Sequence, residues 1–275
     1  MQTTLQNPRS EALSCESLNK ENFVEKRSCA AQHRLLSIPS EPLFIADWVQ
    51  VLMIHFEVTP FALQVGVPFA LDLHEGKAFV SVVAFTMRGM RPRFGGRFAA
   101  ALLKPISTHH FLNVRTYVRH NGEPGIYFMR EWLSNRLSVA LGPHAFGLPY
   151  RFAKIHYSSE SSGNFTGTVE EGREGKSFTF RAEWNSAEAF DFCKEGSICD
   201  WLMERYTAYT SRREKKRFFR VWHWPWMKID AEVLVEDQSL LENNWQFFRE
   251  ARLVDAYYSP GVFDVWMGWP QKIKS

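Results

Sequence analysis

The stretch FLNVRTYVRHNGEPGIYFMRE, Phe111–Glu131, decides the fold of this 275-residue chain. Two runs that are rich in β-branched and aromatic residues flank HNGEPG, where Asn, Gly and Pro supply the geometry of a turn. Strand alternation sorts the first run into two faces: Leu112, Val114, Thr116 and Val118 share one, and Phe111, Asn113, Arg115, Tyr117 and Arg119 share the other. The stretch therefore predicts an antiparallel β-hairpin.

The polar face of the first run permits two interpretations. If it lines the inside of a barrel, Arg115 is a partly buried cation and needs a carboxylate partner from the protein or from a ligand. If the run is an edge strand, the same face is simply exposed to solvent. The pattern alone does not distinguish these alternatives.

Working outward from the hairpin, similar patterns predict many short strands and a few helices. VLMIHFEV predicts a strand, the turn Glu75-Gly76 joins two more, and further strands are predicted at 152–158, 164–170 and 176–184. Thr59 and Ser197 are predicted N-caps, the second opening a helix that includes Tyr206 and Tyr209. The pattern indicates an α+β protein built on a large, mostly antiparallel sheet or barrel.

Composition restricts the partners and the location of the protein. The net charge of +3 gives no electrostatic case for nucleic acid, and the longest apolar runs are far too short to span a bilayer. The four cysteines have neither CxxC nor zinc spacing, which predicts reduced thiols in a cytoplasmic protein without a cofactor. Residues 1–42 are polar and lack sustained periodicity, so we expect a flexible arm with a short helical patch around Phe23–Lys26 before a single domain at 43–275.

The segment GLPYRFAKIHY raises the question of a reactive lysine. Alternation places Tyr150, Phe152, Lys154 and His156 on one face. A lysine among aromatic groups in a cavity would be desolvated, and its amine would then be free to attack a carbonyl group. The alternative is a solvated lysine on a strand.

Three histidine and basic segments have competing interpretations. In VWHWPWMK, His223 is either a proton carrier or ligand contact, or one satisfied imidazole in an aromatic core. The adjacent His109 and His110 should point to opposite faces of a strand, which does not suit a shared metal ion. The basic run RREKKR is interpreted as a solvated connection.

An ordered set of motifs gives the chain a family resemblance. NVRTYV, PGIYFMR, GLPYRFAKI, WLMERYTAY, WHWPW and SPGVFDVW occur in this order over most of Trp48–Trp269. Together they resemble the uncharacterised bacterial family DUF2071, also called YqjF-like, which is similar in fold to acetoacetate decarboxylase. The resemblance implies a large, mostly antiparallel β-barrel or cone with a few flanking helices and an internal cavity.

The resemblance also has implications for the site. Acetoacetate decarboxylases carry their Schiff-base lysine in a segment like Gly-(aromatic)-Pro-Lys-Lys, which matches residues 147–151 here, where Tyr150 and Arg151 occupy both lysine positions. This implies that the usual nucleophile is missing. In the DUF2071 pattern an acidic residue commonly stands where this chain has Phe111, which implies a more apolar cavity.

Three hypotheses follow. The first is a domain whose cavity binds a small carboxylate- or carbonyl-containing molecule. In this domain Arg115 clamps the anion, and the other lining residues are Asn113, Tyr117, Tyr150 and His223. The second is a lyase- or decarboxylase-like enzyme with a relocated nucleophile, in which Lys154 forms an imine and Tyr150 or His223 moves protons. The third is an interaction module that uses the aromatic C-terminal region or the N-terminal arm; a homo-oligomer is compatible with all three.

Overall fold

The computed structural model describes residues 23–160, 162–172 and 175–273, which contain sixteen strands and six α-helices. The strands are β1 Phe44–Val58, β2 Ala70–Leu71, β3 Ala78–Pro92, β4 His109–His120, β5 Glu123–Leu133, β6 Tyr150–Phe152, β7 Lys154–Glu160, β8 Asn164–Glu171, β9 Lys176–Glu183, β10 Asp191–Phe192, β11 Thr207–Arg212, β12 Lys215–Trp222, β13 Met227–Asp230, β14 Glu232–Asp237, β15 Arg252–Met267 and β16 Gln271–Lys272. The helices are α1 Phe23–Leu36, α2 Pro60–Gln64, α3 Gly96–Leu103, α4 Arg136–Ala145, α5 Ile198–Met203 and α6 Ser239–Asn244, with 3₁₀ turns at Lys104–Ile106 and Gln246–Arg249.

Seven long strands form a ring, in the order β15, β1, β3, β4, β5, β11 and β12. The ring is closed where Val221 and Trp222 of β12 pair with Met267 and Trp266 of β15. All neighbours in the ring are antiparallel except β5 and β11, which run parallel over two residue pairs. This partly closed barrel with flanking helices confirms the predicted α+β architecture.

The two faces of the barrel strands have different surroundings. Leu52 and Ile54 of β1 and Val82 of β3 point outward and pack against a second sheet with strand order β14-β9-β8-β7. Their neighbours Met53 and Val83 point into the barrel. Because both faces are buried, these strands have long apolar runs instead of a simple alternation of apolar and polar residues.

The predicted hairpin is formed by β4 and β5, paired antiparallel along their lengths. Its turn has positive φ at Asn121 (50°) and Gly122 (79°), the conformation for which Asn-Gly is suited. The predicted faces are also found: Leu112 and Val114 lie in the outer core, whereas Arg115 is buried on the inner side. The barrel interpretation of this face is therefore confirmed, and the edge-strand alternative is wrong.

A β-bulge interrupts the hairpin close to its open end. Val114 is opposite Arg130 but Arg115 is opposite Phe128, so Met129 is an extra residue without a partner across the ladder. An extra residue reverses the alternation beyond it. As a consequence Glu131, which strict alternation from Phe128 would place outside, points into the barrel.

Part of the predicted N-terminal arm packs on the barrel, because helix α1 covers Phe23–Leu36 and includes the expected helical patch. Helix α1 packs Ala31 and Leu35 against Trp222, and the Ser28 hydroxyl donates to the carbonyl oxygen of His223 at 2.8 Å. Apolar burial and buried hydrogen bonds fix this segment to the barrel. Residues 1–22 of the predicted arm lie outside the described residues, and the assignment of 43–275 to a single domain stays a prediction.

Two local predictions near α5 need correction. Ser197 caps α5 as predicted, but the helix ends at Met203 because the chain then enters β11, which contains Tyr209. A disulfide joins Cys193 to Cys199, so the prediction of reduced thiols is wrong for this pair. Among the described residues, no helix has the length and apolar character needed to cross a membrane.

Candidate ligand-binding site

The inside of the barrel contains a cavity of about 280 Å³ with mainly apolar walls. Strands of the ring supply most of the wall, and α4, the segment leading into β6 and several connecting segments complete it. The apolar lining residues include Trp48, Val51, Met53, Val83, Phe85, Met87, Ile126, Phe128, Phe146, Leu148, Phe219, Val221 and Trp226. Such walls suit the apolar part of a small molecule, because its burial removes hydrocarbon surface from water.

A few polar side chains interrupt these walls, and three of them are neighbours in the sheet. Asn113 of β4 is directly opposite Glu131 of β5. Glu131 is in turn paired with Tyr150 of β6, which runs parallel to the end of β5. The inward-pointing Arg115 follows two residues after Asn113, so all four line the same cavity.

Arg115 is a buried cation without a compensating anion. Its relative exposure is 7%, and within the described part of the chain no carboxylate oxygen lies within 4.0 Å of its guanidinium. One terminal nitrogen donates to the Met53 sulfur at 3.5 Å, and Nε has no hydrogen-bond partner. Burial lowers the pKa of Arg115, but a guanidinium remains protonated, so a positive charge is held in an apolar cavity.

Glu131 is the acidic group closest in the sheet to this cation, and it is buried with its Oε2 unpartnered. Burial raises the pKa of Glu131 to about 8, although the charge of Arg115 opposes the shift. The carboxyl is therefore mainly protonated at pH 7 and is able to donate a hydrogen bond. The resemblance implied a more apolar cavity because Phe111 replaces an acid, but Glu131 supplies an acid from the adjacent strand.

Tyr117, predicted to line the cavity, lies behind the wall instead. Its hydroxyl donates to the Leu202 carbonyl oxygen at 3.1 Å and accepts from Ser81 at 2.5 Å. Ser81 in turn lies 2.7 Å from Nδ1 of His55, whose pKa is lowered to about 3, first by burial and then by Arg115. This neutral chain supports the side of the cavity on which Arg115 lies.

His223 lines the cavity as predicted, and it is buried among aromatic rings. Its ring centroid is 4.8 Å from that of Tyr206 and 5.1 Å from that of Trp226. Its Nδ1 lies 2.7 Å from the Trp224 carbonyl oxygen and donates to it, while burial lowers the pKa of His223 to about 4. A neutral imidazole with a backbone partner suits a contact surface better than a proton carrier at pH 7.

Lys154 does not share the face of Tyr150. The alternation on which that prediction depended is broken at Ala153, where the chain leaves β6 of the barrel and enters β7 of the second sheet. In β7, Ile155 is buried in the outer core while Lys154 is exposed. Because an exposed amine is fully hydrated, Lys154 lacks the desolvation that the imine hypothesis requires.

A second buried arginine lines a different part of the wall. Arg205 donates to Oδ2 of Asp72 at 2.7 Å and to the Trp201 carbonyl oxygen at 2.7 Å. Asp72 also accepts from Arg119 at 3.0 Å. Unlike Arg115, Arg205 therefore has a carboxylate partner from the protein itself.

Sequence reasoning missed several polar lining residues, namely His109, Glu131, Ser138, Arg205 and Thr207. Strict alternation of inward and outward residues places Glu131 on the outer face of β5. The bulge at Met129 reverses this, and the alternation pattern of the sequence does not indicate a bulge. Ser138 belongs to α4, which the strand-dominated pattern did not indicate. The only available signal for Glu131 was its type: an acid at the end of an apolar run, next to a predicted inward cation.

Comparison with known proteins gives a family and a fold. The model of the family DUF2071, described as "Uncharacterized conserved protein (COG2071)", matches residues 45–262. The chain is 31% identical over 205 residues to "Uncharacterized protein YqjF" of Bacillus subtilis (strain 168), covering 74% of this chain and 82% of that protein.

Solved structures are similar in fold at low sequence identity. An acetoacetate decarboxylase from Legionella pneumophila has a TM-score of 0.58 at 13% identity, with 94% of this chain and 98% of that chain covered. An acetoacetate decarboxylase-like enzyme from Sphingomonas wittichii RW1 has a TM-score of 0.55 at 15% identity, covering 86% and 94%. The enduracididine biosynthesis enzyme MppR, complexed with pyruvate, has a TM-score of 0.57 at 13% identity, covering 85% and 91%.

Proposed function

Since the chain belongs to the DUF2071 family and has an acetoacetate decarboxylase-like fold, we propose that its barrel cavity binds a small organic acid with an apolar body. The observation that carries this proposal is the buried guanidinium of Arg115, whose Nε has no hydrogen-bond partner and which has no carboxylate partner among the described residues. A buried charge is strongly unfavourable unless an opposite charge and hydrogen bonds compensate it. A ligand carboxylate that enters the cavity supplies both.

The neighbours of Arg115 define the polar head of the ligand. The protonated carboxyl of Glu131 donates a hydrogen bond to an oxygen of the ligand, and the Asn113 amide offers both an acceptor and donors. A carboxylate or a carbonyl oxygen fits the donors, and a hydroxyl or amine on the ligand fits the free Asn113 oxygen. A 2-oxo or 2-hydroxy acid combines these groups within a few atoms.

The apolar walls define the rest of the ligand. The Trp48 and Phe85 rings and the Met53 side chain line the same cavity as the polar cluster. An alkyl or aryl tail gains about 0.8 kcal/mol for each methylene buried, so affinity should rise about fourfold per methylene until the cavity is full. MppR, which has the same fold, is described in complex with pyruvate, which supports the same class of head group.

The test is calorimetric titration with straight-chain 2-oxo acids from three to eight carbons. We expect affinity to increase with chain length for the wild type and to fall by at least 100-fold for Arg115→Met. Arg151→Met is the matched control, because Arg151 is an exposed arginine next to Tyr150. This variant should bind the 2-oxo acids with wild-type affinity. A folded Arg115→Met variant with wild-type affinity would contradict the proposal.

A second candidate function is acid–base catalysis on a bound carbonyl compound. Glu131 favours it, because a carboxyl with a pKa near 8 exchanges protons readily at neutral pH and lies beside Tyr150. In enolisation the ionised form of Glu131, which is the minority form at pH 7, takes one proton from the carbon next to the carbonyl, and the Tyr150 hydroxyl delivers one proton to the carbonyl oxygen, so that no redox partner is needed. Burial raises the pKa of Tyr150 well above its usual value, so its neutral hydroxyl is available as the donor.

Deuterium exchange at that carbon, followed by NMR, separates the two candidates. An acid–base enzyme exchanges the proton far faster than the buffer does, and Glu131→Gln abolishes this while the ligand still binds. Binding without exchange would leave the binding function and exclude enolisation. Lys154 lies outside the cavity, so it does not support imine formation with a ligand bound there.

A further inference from the structure

The segment from residue 88 to residue 108 has an unusual charge pattern. It contains five basic residues and no acidic residue. Arg88 lies 3.9 Å from Asp47 of the neighbouring strand β1, and Arg91 pairs with Asp264 of β15, one strand further along the sheet. The remaining cations of the segment are Arg93, Arg97 and Lys104, which are exposed.

The same segment exposes large apolar side chains. Phe94 is 60% exposed, Phe98 76% and Leu102 67%. Residues four apart lie on one side of a helix, so Phe98 and Leu102 form a continuous apolar strip on α3, which Phe94 extends just before its first turn. Helix α3 itself buries none of its residues.

This strip adjoins the opening of the cavity. Leu103 and Ile106, which directly follow the strip, line the cavity. Helix α4 contributes Leu141 and Ala145, which both line the cavity and are exposed to solvent. The cavity therefore opens beside α3 and α4, and Leu141, at 52% exposure, continues the apolar surface from the rim.

We propose that this surface docks on a bilayer that contains anionic phospholipids. The α3 surface consists of Arg93, Phe94, Arg97, Phe98, Leu102 and Lys104. Its aromatic and aliphatic side chains insert at the boundary of the acyl chains, while its cations contact lipid phosphates. The prediction that the protein has no membrane partner considered only membrane-spanning segments, and the α3 surface is of the peripheral type.

The charge pattern favours a membrane over a second copy of the chain. In a twofold-symmetric dimer through this face, the cations of one α3 surface would lie opposite those of the other, without acidic residues of the segment to neutralise them. An anionic bilayer supplies the complementary charge and the apolar phase together. If the proposed ligand is an acid with an apolar tail, docking also places the cavity opening at the bilayer surface, into which such tails partition. This consequence rests on the proposed function, whereas the docking itself does not.

Vesicle co-sedimentation tests the docking. We expect the wild type to bind vesicles of phosphatidylcholine with 30% phosphatidylglycerol, to bind phosphatidylcholine alone at least tenfold more weakly, and to be released by 0.5 M salt. Phe98→Glu should lower binding at least tenfold. The matched control is Phe61→Glu. Phe61 is 83% exposed on α2, at the opposite end of β1 and β3 from α3. The Phe61→Glu variant should bind vesicles like the wild type.

A second pair of variants tests the role of charge. Arg97→Ala should weaken binding to the anionic vesicles about fivefold, whereas Arg213→Ala, in the exposed turn between β11 and β12, should not. Docking is overturned if the wild type binds neither vesicle, or if Phe61→Glu weakens binding as much as Phe98→Glu. It is also overturned if the chain is a dimer in solution that Phe98→Glu converts to a monomer without any vesicle binding.

The test is independent of the cavity. Arg115→Met should dock on vesicles like the wild type, even though it no longer binds an organic acid. If titration shows no acid binding but vesicles are bound, the proposed function fails and the docking stands. If acids bind but vesicles do not, the docking fails and the proposed function stands.

Discussion

Two buried arginines line the same cavity, and their partners differ. Arg205 has a carboxylate at 2.7 Å, a backbone carbonyl oxygen and a place in a network with Asp72 and Arg119. Arg115 has a weak contact with the Met53 sulfur and a hydrogen bond with the neutral Tyr117 hydroxyl, but no carboxylate partner. The carboxylate and carbonyl partners of Arg205 compensate its buried charge. The charge of Arg115 has no such compensation from the described residues, and we propose that a ligand carboxylate supplies it. The comparison distinguishes Arg205, a structural cation, from Arg115, for which we propose a binding role.

The largest expected effect comes from breaking the paired side of this comparison. Asp72→Asn leaves Arg205 buried without its counter-charge and also removes the partner of Arg119. Removal of one member of a buried ion pair typically costs about 3–5 kcal/mol, so we expect a loss of this size in the free energy of unfolding. Denaturant titration at pH 7 measures it. A loss below 1 kcal/mol would show that Arg205 does not depend on Asp72.

The next effect is a pH dependence that originates on the unpaired side. The pKa of Glu131 is about 8 in the folded chain and near 4.5 in the unfolded chain, so between these values the folded state holds a proton that the unfolded state releases. Stability therefore falls as pH rises through this interval, by about 1.4 kcal/mol per unit from this group. Glu131→Gln removes the contribution.

Denaturant titrations of wild type and Glu131→Gln at pH 5, 6 and 7 check this sign. The variant should gain about 3 kcal/mol relative to the wild type between pH 5 and pH 7, since two pH units are involved. Equal pH slopes for both proteins would mean that the pKa of Glu131 is not raised. Ligand binding gives a second readout, because affinity for a carboxylate should decrease above pH 8 as Glu131 becomes negative.

Arg115→Met sharpens the comparison from the stability side. Replacement of an uncompensated buried charge by an apolar group of similar length removes a desolvation penalty, and no ionised partner is left behind at pH 7. We expect the free energy of unfolding to stay the same or rise by about 1–2 kcal/mol, while binding of the acid is lost. Thermal unfolding with and without ligand provides the measurement. A loss above 2 kcal/mol would make Arg115 a structural cation like Arg205.

The sequence was sufficient to predict the inward position of Arg115 on β4, but not that of Glu131 on β5. The hairpin turn at Asn121-Gly122 and the alternation through Arg115 are local properties, and both were predicted correctly. Glu131 depends on the bulge at Met129, which lies between the residues of β5 that pair with β11 and those that pair with β6. Such long-range pairing is not encoded in the alternation of one strand.

Long-range structure also explains why the prediction for Lys154 failed, whereas the fold prediction succeeded because it depended on motifs from many elements. Alternation remains valid only while a strand stays in one sheet, and the chain changes sheets at Ala153. By contrast, the ordered motifs extend over many elements, so a resemblance built on them survives local irregularities. The pairing of Arg205 with Asp72 joins residues 133 positions apart, and no short pattern indicates it.

A smaller effect is expected from the support behind the wall. Tyr117→Phe removes the hydroxyl that links Ser81 to the Leu202 carbonyl oxygen and lies beside the Arg115 guanidinium. The loss of a buried hydrogen bond costs about 1 kcal/mol, and a less restrained Arg115 should weaken acid binding several-fold. Tyr209→Phe is a control tyrosine whose hydroxyl donates to the Glu123 carbonyl oxygen outside the cavity, and it should leave affinity unchanged. Equal affinities for both variants would assign Tyr117 to stability alone.

The smallest effect is expected at Lys154. Lys154 is exposed on the second sheet and does not line the cavity, so Lys154→Ala should change acid binding by less than twofold. Borohydride reduction in the presence of β-keto acids and aldehydes, followed by intact-mass analysis, should give the same result for wild type and variant. An adduct that disappears in Lys154→Ala would reverse the comparison, because the chemistry would then lie on the outer sheet and not beside the unpaired arginine. Equal spectra leave Arg115 and Glu131 as the groups on which the function of the cavity depends.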